Sequence, residues 1–471
     1  AGLVKRGERA AELRDNLAEA QRRMRARGAG ERTISQFTTH YLAVAAGARG
    51  LIPEGSIDPV DDLPHLSAHE VADETAAQAL SHVAVVKLNG GLGTTMGLDG
   101  PKSALVVRDG LTFLDVIARQ VLTLRKRYAV SLPLVFMNSF RTREDTARAL
   151  AAYPDLAVEG LSLDFLQGAV PKVVSDTMAP VDWPTDRELE WCPPGHGDVF
   201  ASLAESGILD QLVERGVRYV FISNADNLGA TCDPAIASWV IEHDLPLVVE
   251  ACVRTANDRK GGHFARRSED GRLILRELAM VAPGEESAFA DIARHRFFNA
   301  NSLWVRVDVV SELASAPERA LPVIVNRKTV DPTDPTSIPV LQLESAMGAA
   351  VESVDGAQAL LVSRRRFEPV KTTADLLLVR SDRYRITEQY ALEAVAEPPD
   401  PRVDLGPEFG LIDDFESRFP GGSPSLRHCT SLRIVGDVVV GGRVTCLGDV
   451  DIDARGRSTT RHIPDGAVLR S

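Results

Sequence analysis

An apolar run from Val83 to Val86 passes through Lys87-Leu88-Asn89 into a segment carrying Gly90, Gly91, Gly93, Gly97 and Gly100, which closes on Pro101-Lys102-Ser103. The run has the composition of a buried strand, and the glycines admit positive φ and close backbone approach. A strand feeding such a loop belongs to an α/β fold. The loop can turn its N–H groups toward one point and form a nest for a polyanion. Lys102 adds a full positive charge to those amide dipoles. A Gly-rich turn with an incidental lysine would look the same in isolation, so the loop's meaning depends on what accompanies it.

Neither of the two commonest phosphate loops fits. A Walker loop needs G-x-x-x-x-G-K-[ST] opening a helix. Here Gly97-Leu98-Asp99-Gly100-Pro101-Lys102-Ser103 has the wrong glycine spacing and a proline before the lysine. The dinucleotide fingerprint G-x-G-x-x-G is met only as far as Gly91-Leu92-Gly93, with Gly97 one place late.

A chain of 471 residues is expected to form two or three domains. Its 44% hydrophobic and 25% charged residues suit a soluble globular protein with a sizeable core. A formal net charge of −13 argues against a nucleic-acid-binding surface. It leaves room for a phosphate ligand, because lysines, amide dipoles and metal set the local field. No apolar run reaches the roughly 18 residues of a membrane helix. Charged residues recur from Lys5 to Arg27, so no signal-peptide core is expected either. Cys192, Cys232, Cys252, Cys429 and Cys446 form no C-x-x-C pair and no zinc spacing. That pattern fits a reducing, cytoplasmic compartment, with Cys192 a free thiol rather than a nucleophile.

Residues 7 to 27 have helical spacing at Leu13, Leu17 and Met24. The cluster Arg22-Arg23-Met24-Arg25-Ala26-Arg27 reads as a solvated face neutralised by Glu12, Asp15 and Glu19. Pro53 to Pro64 reads as an acidic connecting segment. Beyond residue 83, strand-like runs (132 to 137, 219 to 223, 245 to 251) alternate with helical stretches (111 to 128, 198 to 216). Asp198 is the expected N-cap and Gly216 the residue after the C-cap. Such alternation predicts a mixed, mainly parallel sheet with helices on both faces, and ligands beyond the C-terminal strand ends. The Gly loop and Asp226 both follow strand-like runs. After about residue 385 the pattern changes. Gly436, Gly442 and Gly448, Val438, Val444 and Val450, and Val440, Cys446 and Ile452 each recur every six residues. Three coincident phases favour β-helix coils over antiparallel hairpins.

Further segments stand in order along the chain. They are Met137-Asn138-Ser139-Phe140, Pro193 to Asp198, Ser223 to Gly229, Lys260-Gly261-Gly262, Asn299 to Trp304, Val340 to Glu344, Phe367 to Lys371 and Asp375 to Leu378. With the Gly loop they span roughly residues 30 to 385, and together they resemble the eukaryotic-type UTP–glucose-1-phosphate uridylyltransferases (UDP-glucose pyrophosphorylases). Bacterial-type sugar nucleotidyltransferases carry an arginine where this chain has Thr95. The resemblance implies an N-terminal helical segment (1–80), a Rossmann-like, GT-A-like nucleotidyltransferase domain (81–385), and a C-terminal left-handed β-helix (386–471) used in self-association. Neither a nucleic acid nor a membrane is an implied partner.

The reaction it implies joins UTP and glucose 1-phosphate to give UDP-glucose and pyrophosphate, reversibly, by attack of a sugar-phosphate oxygen on the α-phosphorus. Two polyanions must meet, so charge neutralisation and positioning dominate and no protein nucleophile is needed. Backbone amides of Leu88, Asn89, Gly90 and Gly91 can cradle the nucleotide and Lys102 can bridge its phosphates. Asp226 is a hard oxygen ligand suited to Mg²⁺, and Lys371 supplies a second cation. By resemblance Gln167 reads the uracil edge, with Met137 and Gly195 in the same pocket. His196 contacts the sugar phosphate, and Gly91, Asn224, Gly262, Glu277, Asn299 and Asn301 fall among the sugar-phosphate contacts. Amides and carboxylates suit hydroxyls that both donate and accept.

Three departures bear on the sugar. The family usually has Ser at Ala225, Asn-Thr-Asn-Asn at Asn299-Ala300-Asn301-Ser302, and Tyr at Cys192. Sugars related to glucose 1-phosphate, such as galactose 1-phosphate or an N-acetylhexosamine phosphate, therefore stay open, as does a non-catalytic nucleotide-sugar sensor. Retention of Lys102, Asp226 and Lys371 together speaks against the sensor.

Overall fold

The apolar run becomes strand Val83–Asn89, with every residue but Leu88 buried. The computed structural model describes residues 2–66, 71–255, 258–316, 319–395 and 399–470, with side chains from Glu8 onward. The chain forms two compact units. Unit one comprises Ala1–Val86, Glu159–Ile222 and Pro234–Val362; unit two comprises Lys87–Val158, Ser223–Asp233 and Ser363–Ser471.

Unit one carries a mixed sheet. Strand Phe297–Arg306 lies antiparallel to Leu247–Val253, which in turn lies parallel to Gln358–Leu361. Strand His263–Arg267 pairs antiparallel with Ile57–Pro59, Leu273–Arg276 and the start of Phe297–Arg306. These antiparallel partners are the part that strand–helix alternation does not predict. A short hairpin turned by Gly271 at φ +71° has no helix between its strands to announce a crossover. The Pro53–Pro64 connection holds one of these strands, Ile57–Pro59.

Helix Gly2–Ala26 forms over the expected span and is followed by Glu31–Ala45. Met24, Ile34, Phe37 and Tyr41 pack on Val173, Leu341 and Leu343 of a second, three-stranded antiparallel sheet. The basic cluster is neutralised as expected, though by partly different carboxylates. Arg22 and Arg23 pair with Glu19, Arg25 with Glu31, and Arg27 with Glu188. The single helix expected over 198 to 216 is two, Val199–Glu205 and Ile208–Glu214. Gly207, at φ +77°, breaks it, and Gly216 at φ +78° ends the second as predicted.

In unit two, helix Phe113–Tyr128 opens on a capping box formed by Thr112 and Asp115. The C-terminal part is a stack of parallel strands: Arg402–Leu405 on Ser425–Val435, that on Thr445–Asp453, and that on Val468–Arg470. Leu432 lies opposite Val450 and Ile434 opposite Ile452, so one coil takes eighteen residues, or three six-residue repeats. The in-phase side chains Val438, Val440, Val444, Cys446, Val450 and Ile452 are all buried. Parallel pairing excludes the hairpin alternative here. Among the described residues no helix is long and apolar enough to cross a membrane.

Candidate functional site

Leu88, Asn89, Gly90, Gly91, Lys102, Met137, Asn224, Asp226 and Lys371 lie in unit two; Gln167, Gly195, His196, Gly262, Glu277, Asn299 and Asn301 lie in unit one.

The Gly loop of unit two is closed at its base by a buried amide. Asn89 Nδ2 donates to Asn138 Oδ1 at 2.8 Å and to Thr146 Oγ1 at 2.9 Å, while its Oδ1 accepts from Ser103 Oγ. The Asn89 side chain is thereby spent on architecture, and its main chain is what remains for a ligand. Leu92 pairs with Pro101, and Lys102 N donates to Gly91 O at 3.3 Å. Of the loop glycines only Gly97 adopts positive φ, at +73°. Gly93 is required for a different reason, since a Cβ there would stand 2.3 Å from Leu98 Cδ1. Around Gly91 the space is open.

Lys102 Nζ donates to Asp226 Oδ2 at 3.0 Å, with the two side chains 14% and 20% exposed. The other carboxylate oxygen, Asp226 Oδ1, is buried without a hydrogen-bond partner among the described residues. Leaving such an acceptor unmade is costly in a folded protein. An oxygen of this kind suits a hard divalent cation. Among the described residues no group of three or more His, Cys, Asp or Glu could hold a metal. The donor set therefore fits an ion taking one carboxylate, waters and substrate phosphates, the habit of Mg²⁺. Asp226 is not a helix N-cap; it sits in the turn after strand Tyr219–Asn224, well before helix Pro234–Glu242. Its carbonyl accepts from Val370 N at 3.1 Å, and Ala225 N donates to Leu88 O at 3.0 Å. Lys371 is exposed, and its N–H is held by Asp375 Oδ2 at 2.9 Å ahead of helix Thr373–Arg380. Met137 is buried in strand Leu134–Asn138, and Asn224 ends Tyr219–Asn224.

In unit one the seven residues form one connected set. Gln167 Nε2 donates to Gly195 O at 3.0 Å. Next along the chain, His196 Nδ1 accepts from Met347 N at 3.0 Å. That bond puts the imidazole proton on Nε2 and makes the outer nitrogen a donor. Gly348 lies against Asn299, whose Nδ2 would be 2.7 Å from a Cβ at that glycine. Asn299 N donates to Gly262 O at 2.9 Å, and Asn299 Oδ1 accepts from Asn301 N at 2.8 Å. Gly262 leaves no room for a side chain against the Glu277 carboxylate, 2.4 Å from an ideal Cβ. Asn301 holds φ +55°, a left-handed conformation rare outside glycine.

The most exacting position is Gly195, at φ +82° and ψ 171°. This region is essentially confined to glycine, and a Cβ would come within 2.3 Å of Ser345 O. Gly195→Ala is expected to lower folding stability by at least about 1–3 kcal/mol, read by urea denaturation. An unchanged midpoint would mean the loop adapts.

Asp198 stands at the N-cap of helix Val199–Glu205 as expected, but its side chain has another task, and sequence reasoning passed over other residues. Asp198 does not cap a helix through its side chain. It is fully buried and accepts from Gly168 N at 2.7 Å and from Ser202 Oγ, tying the Gln167 loop to helix Val199–Glu205. Burial raises its carboxyl pKa despite those bonds. The segment Ser345 to Gly348, which carries His196 and Asn299, directly follows Val340 to Glu344, and its glycine was the available signal. Cys192 is buried and its thiol is pushed up to about 12 by burial, so it is no nucleophile.

Against known proteins, the family model for UTP–glucose-1-phosphate uridylyltransferase matches residues 35–447. A uridylyltransferase of that name from Hordeum vulgare is 41% identical over 83% of this chain and 81% of its own length. One from Saccharomyces cerevisiae is 40% identical over 83% of this chain and 78% of its own. Among solved structures, a Trypanosoma brucei UDP-glucose phosphorylase superposes with a TM-score of 0.88 at 41% identity, covering 97% of this chain and 98% of that one. A Leishmania major UDP-glucose pyrophosphorylase variant in complex with UDP-glucose gives 0.90 at 39% identity, with the same coverage. The chain belongs to the UTP–glucose-1-phosphate uridylyltransferase family of nucleotidyltransferases.

Proposed function

We propose that this chain transfers the uridylyl group of UTP to glucose 1-phosphate, giving UDP-glucose and pyrophosphate. The observation that carries the chemistry is the Lys102–Asp226 pair beside the Gly loop, with Asp226 Oδ1 buried and unpartnered. The pair balances charge while no phosphate is present. When the nucleotide arrives, Lys102 can turn from the carboxylate to a phosphate oxygen, which frees Asp226 as a cation ligand. Asp226 would hold Mg²⁺ through Oδ1, and the ion when bound supplies positive charge against the α-phosphate and the leaving pyrophosphate. A phosphate oxygen of glucose 1-phosphate bonds to the α-phosphorus as the bond to the bridging oxygen of pyrophosphate breaks. The substrates supply both nucleophile and leaving group, so the protein's task is to position and neutralise. Lys371 offers a second mobile cation. His196 donates from Nε2 to the sugar phosphate, and the amides of Asn299 and Asn301 with the Glu277 carboxylate face the hexose hydroxyls.

Measuring UDP-sugar formation from UTP with glucose 1-phosphate, galactose 1-phosphate and N-acetylglucosamine 1-phosphate tests this directly. Glucose 1-phosphate is expected to be preferred. Turnover of none of the three would reject the assignment.

Base selectivity is assigned to Gln167, whose amide spends one donor on Gly195 O and keeps its carbonyl and second donor for the uracil edge. A polar base pocket rejects analogues that leave its groups unpaired. UTP is expected to outperform CTP by about 10²-fold or more in kcat/KM, and Gln167→Ala to narrow that gap. Equal use of both by the native chain would remove Gln167 from recognition.

The C-terminal parallel coils, read as a left-handed β-helix, are the proposed surface for self-association. The half-exposed Val468 on the terminal strand, at 55% exposure, supports this. Five buried cysteines, none of them in a disulfide, suit the cytoplasm.

A further inference from the structure

Asp226 and Lys371 stand far apart in sequence, yet one buried side chain in unit two joins the segments that carry them. Asn227, 2% exposed, follows Asp226 directly. Its Nδ2 donates to Arg366 O at 3.0 Å, and its Oδ1 accepts from Gly229 N at 3.1 Å and Glu368 N at 2.9 Å. The main chains meet as well: Asn227 forms an antiparallel bridge with Pro369, and Val370 N donates to Asp226 O at 3.1 Å. At Gly229 a Cβ would fall 2.4 Å from Arg365 O, so the two backbones are in direct contact. The ends of the turn are pinned separately. The buried Lys87 Nζ donates to Ser223 Oγ at 2.8 Å and Ala230 O at 2.7 Å. With the turn's ends fixed on Lys87 and the Arg366 side chain bonded to Thr231 just beyond it, the Asn227 side chain is the tie to the Arg364–Lys371 segment that lies next to Asp226 itself.

We infer that Asn227 is a positioning residue for the transfer: its amide holds the backbone that carries Asp226 against the backbone that leads into Lys371, so that the carboxylate and the ammonium reach the phosphates from one platform. The inference rests on the function proposed above. Only an amide serves, because the position needs one donor and a doubly used acceptor at once. Aspartate keeps the acceptor and sets a carboxylate oxygen against Arg366 O. Leucine offers neither.

The test is a double-mutant cycle on purified full-length protein with UTP and glucose 1-phosphate, with thermal unfolding measured in parallel. Asn227→Ala is expected to lower kcat by about 10-fold or more while KM for UTP moves by less than about 3-fold, since the group acts on arrangement rather than on nucleotide contact. In a Lys371→Ala background the same change is expected to cost less than about 2-fold further, because the spacing it protects no longer matters. If Asn227→Ala does not fold, Asn227→Asp, which retains the acceptor for both N–H groups, runs the same cycle. Losses that simply multiply in the double variant would overturn the inference, as would a folded single variant with native kcat. In either case the activity of the native chain leaves the proposed reaction standing. A native chain without uridylyl transfer would overturn both.

Discussion

Lys102→Ala is expected to lower kcat by about 10²–10³-fold, the scale seen when one preorganised donor to developing charge is removed. The side chain is mostly buried, 3.0 Å from Asp226, and it leaves the loop that offers backbone amides to the nucleotide. Its loss strips the only side-chain cation that the loop carries between Gly90 and Ser103. Stability is expected to fall as well, by up to about 3–5 kcal/mol, because the mostly buried Asp226 carboxylate is left without its cation. Steady-state kinetics with a thermal melt separate the two effects. Lys102→Arg keeps the charge but not the shape, and is expected to recover only part of the rate. A folded Lys102→Ala enzyme with near-native turnover would take Lys102 out of the mechanism.

The second large effect is expected at Asp226. Asp226→Asn preserves size and Lys102 Nζ can still donate, to an amide oxygen, but the anionic oxygen that is buried without a partner is gone. Even residues that merely orient a metal ligand cost about 10–100-fold in affinity when changed, and a direct ligand should cost no less. Half-maximal activity of Asp226→Asn is therefore expected to need at least about 10-fold more Mg²⁺. Titration of Mg²⁺ at saturating substrates reads this. Native turnover in excess chelator would dispose of the metal role entirely.

The parts of the fold that follow local rules were legible in the residues. Strand Val83–Asn89 and helix Phe113–Tyr128 follow from apolar patterning and a Thr–Asp capping box, and the C-terminal coils from a six-residue period. What composition left obscure is what tertiary packing decides. Asp198 takes the expected N-cap position, yet Gly168 N and Ser202 Oγ claim its carboxylate in the interior. Of the loop glycines, Gly97 takes a left-handed turn and Gly93 a close approach to Leu98, a division of tasks that composition does not assign. Among the candidate residues, motif order drew out Lys102, Asp226, Gln167, His196 and Asn299. In unit two the structural tasks of the Lys87, Asn89 and Asn227 side chains were not legible, although each lies inside a segment that stood out, because a buried amide or ammonium is defined by partners remote in sequence.

Transfer is proposed to be direct between the two substrates, with Lys102 and the cation that Asp226 would hold neutralising charge and no covalent uridylyl–protein intermediate. Exchange of labelled pyrophosphate into UTP, measured with and without glucose 1-phosphate, tests it most directly. Label is expected to enter UTP only when the sugar phosphate is present, since pyrophosphate can re-form UTP only from UDP-glucose. Exchange at comparable rate in the absence of any sugar phosphate would require a uridylylated side chain and would contradict the account.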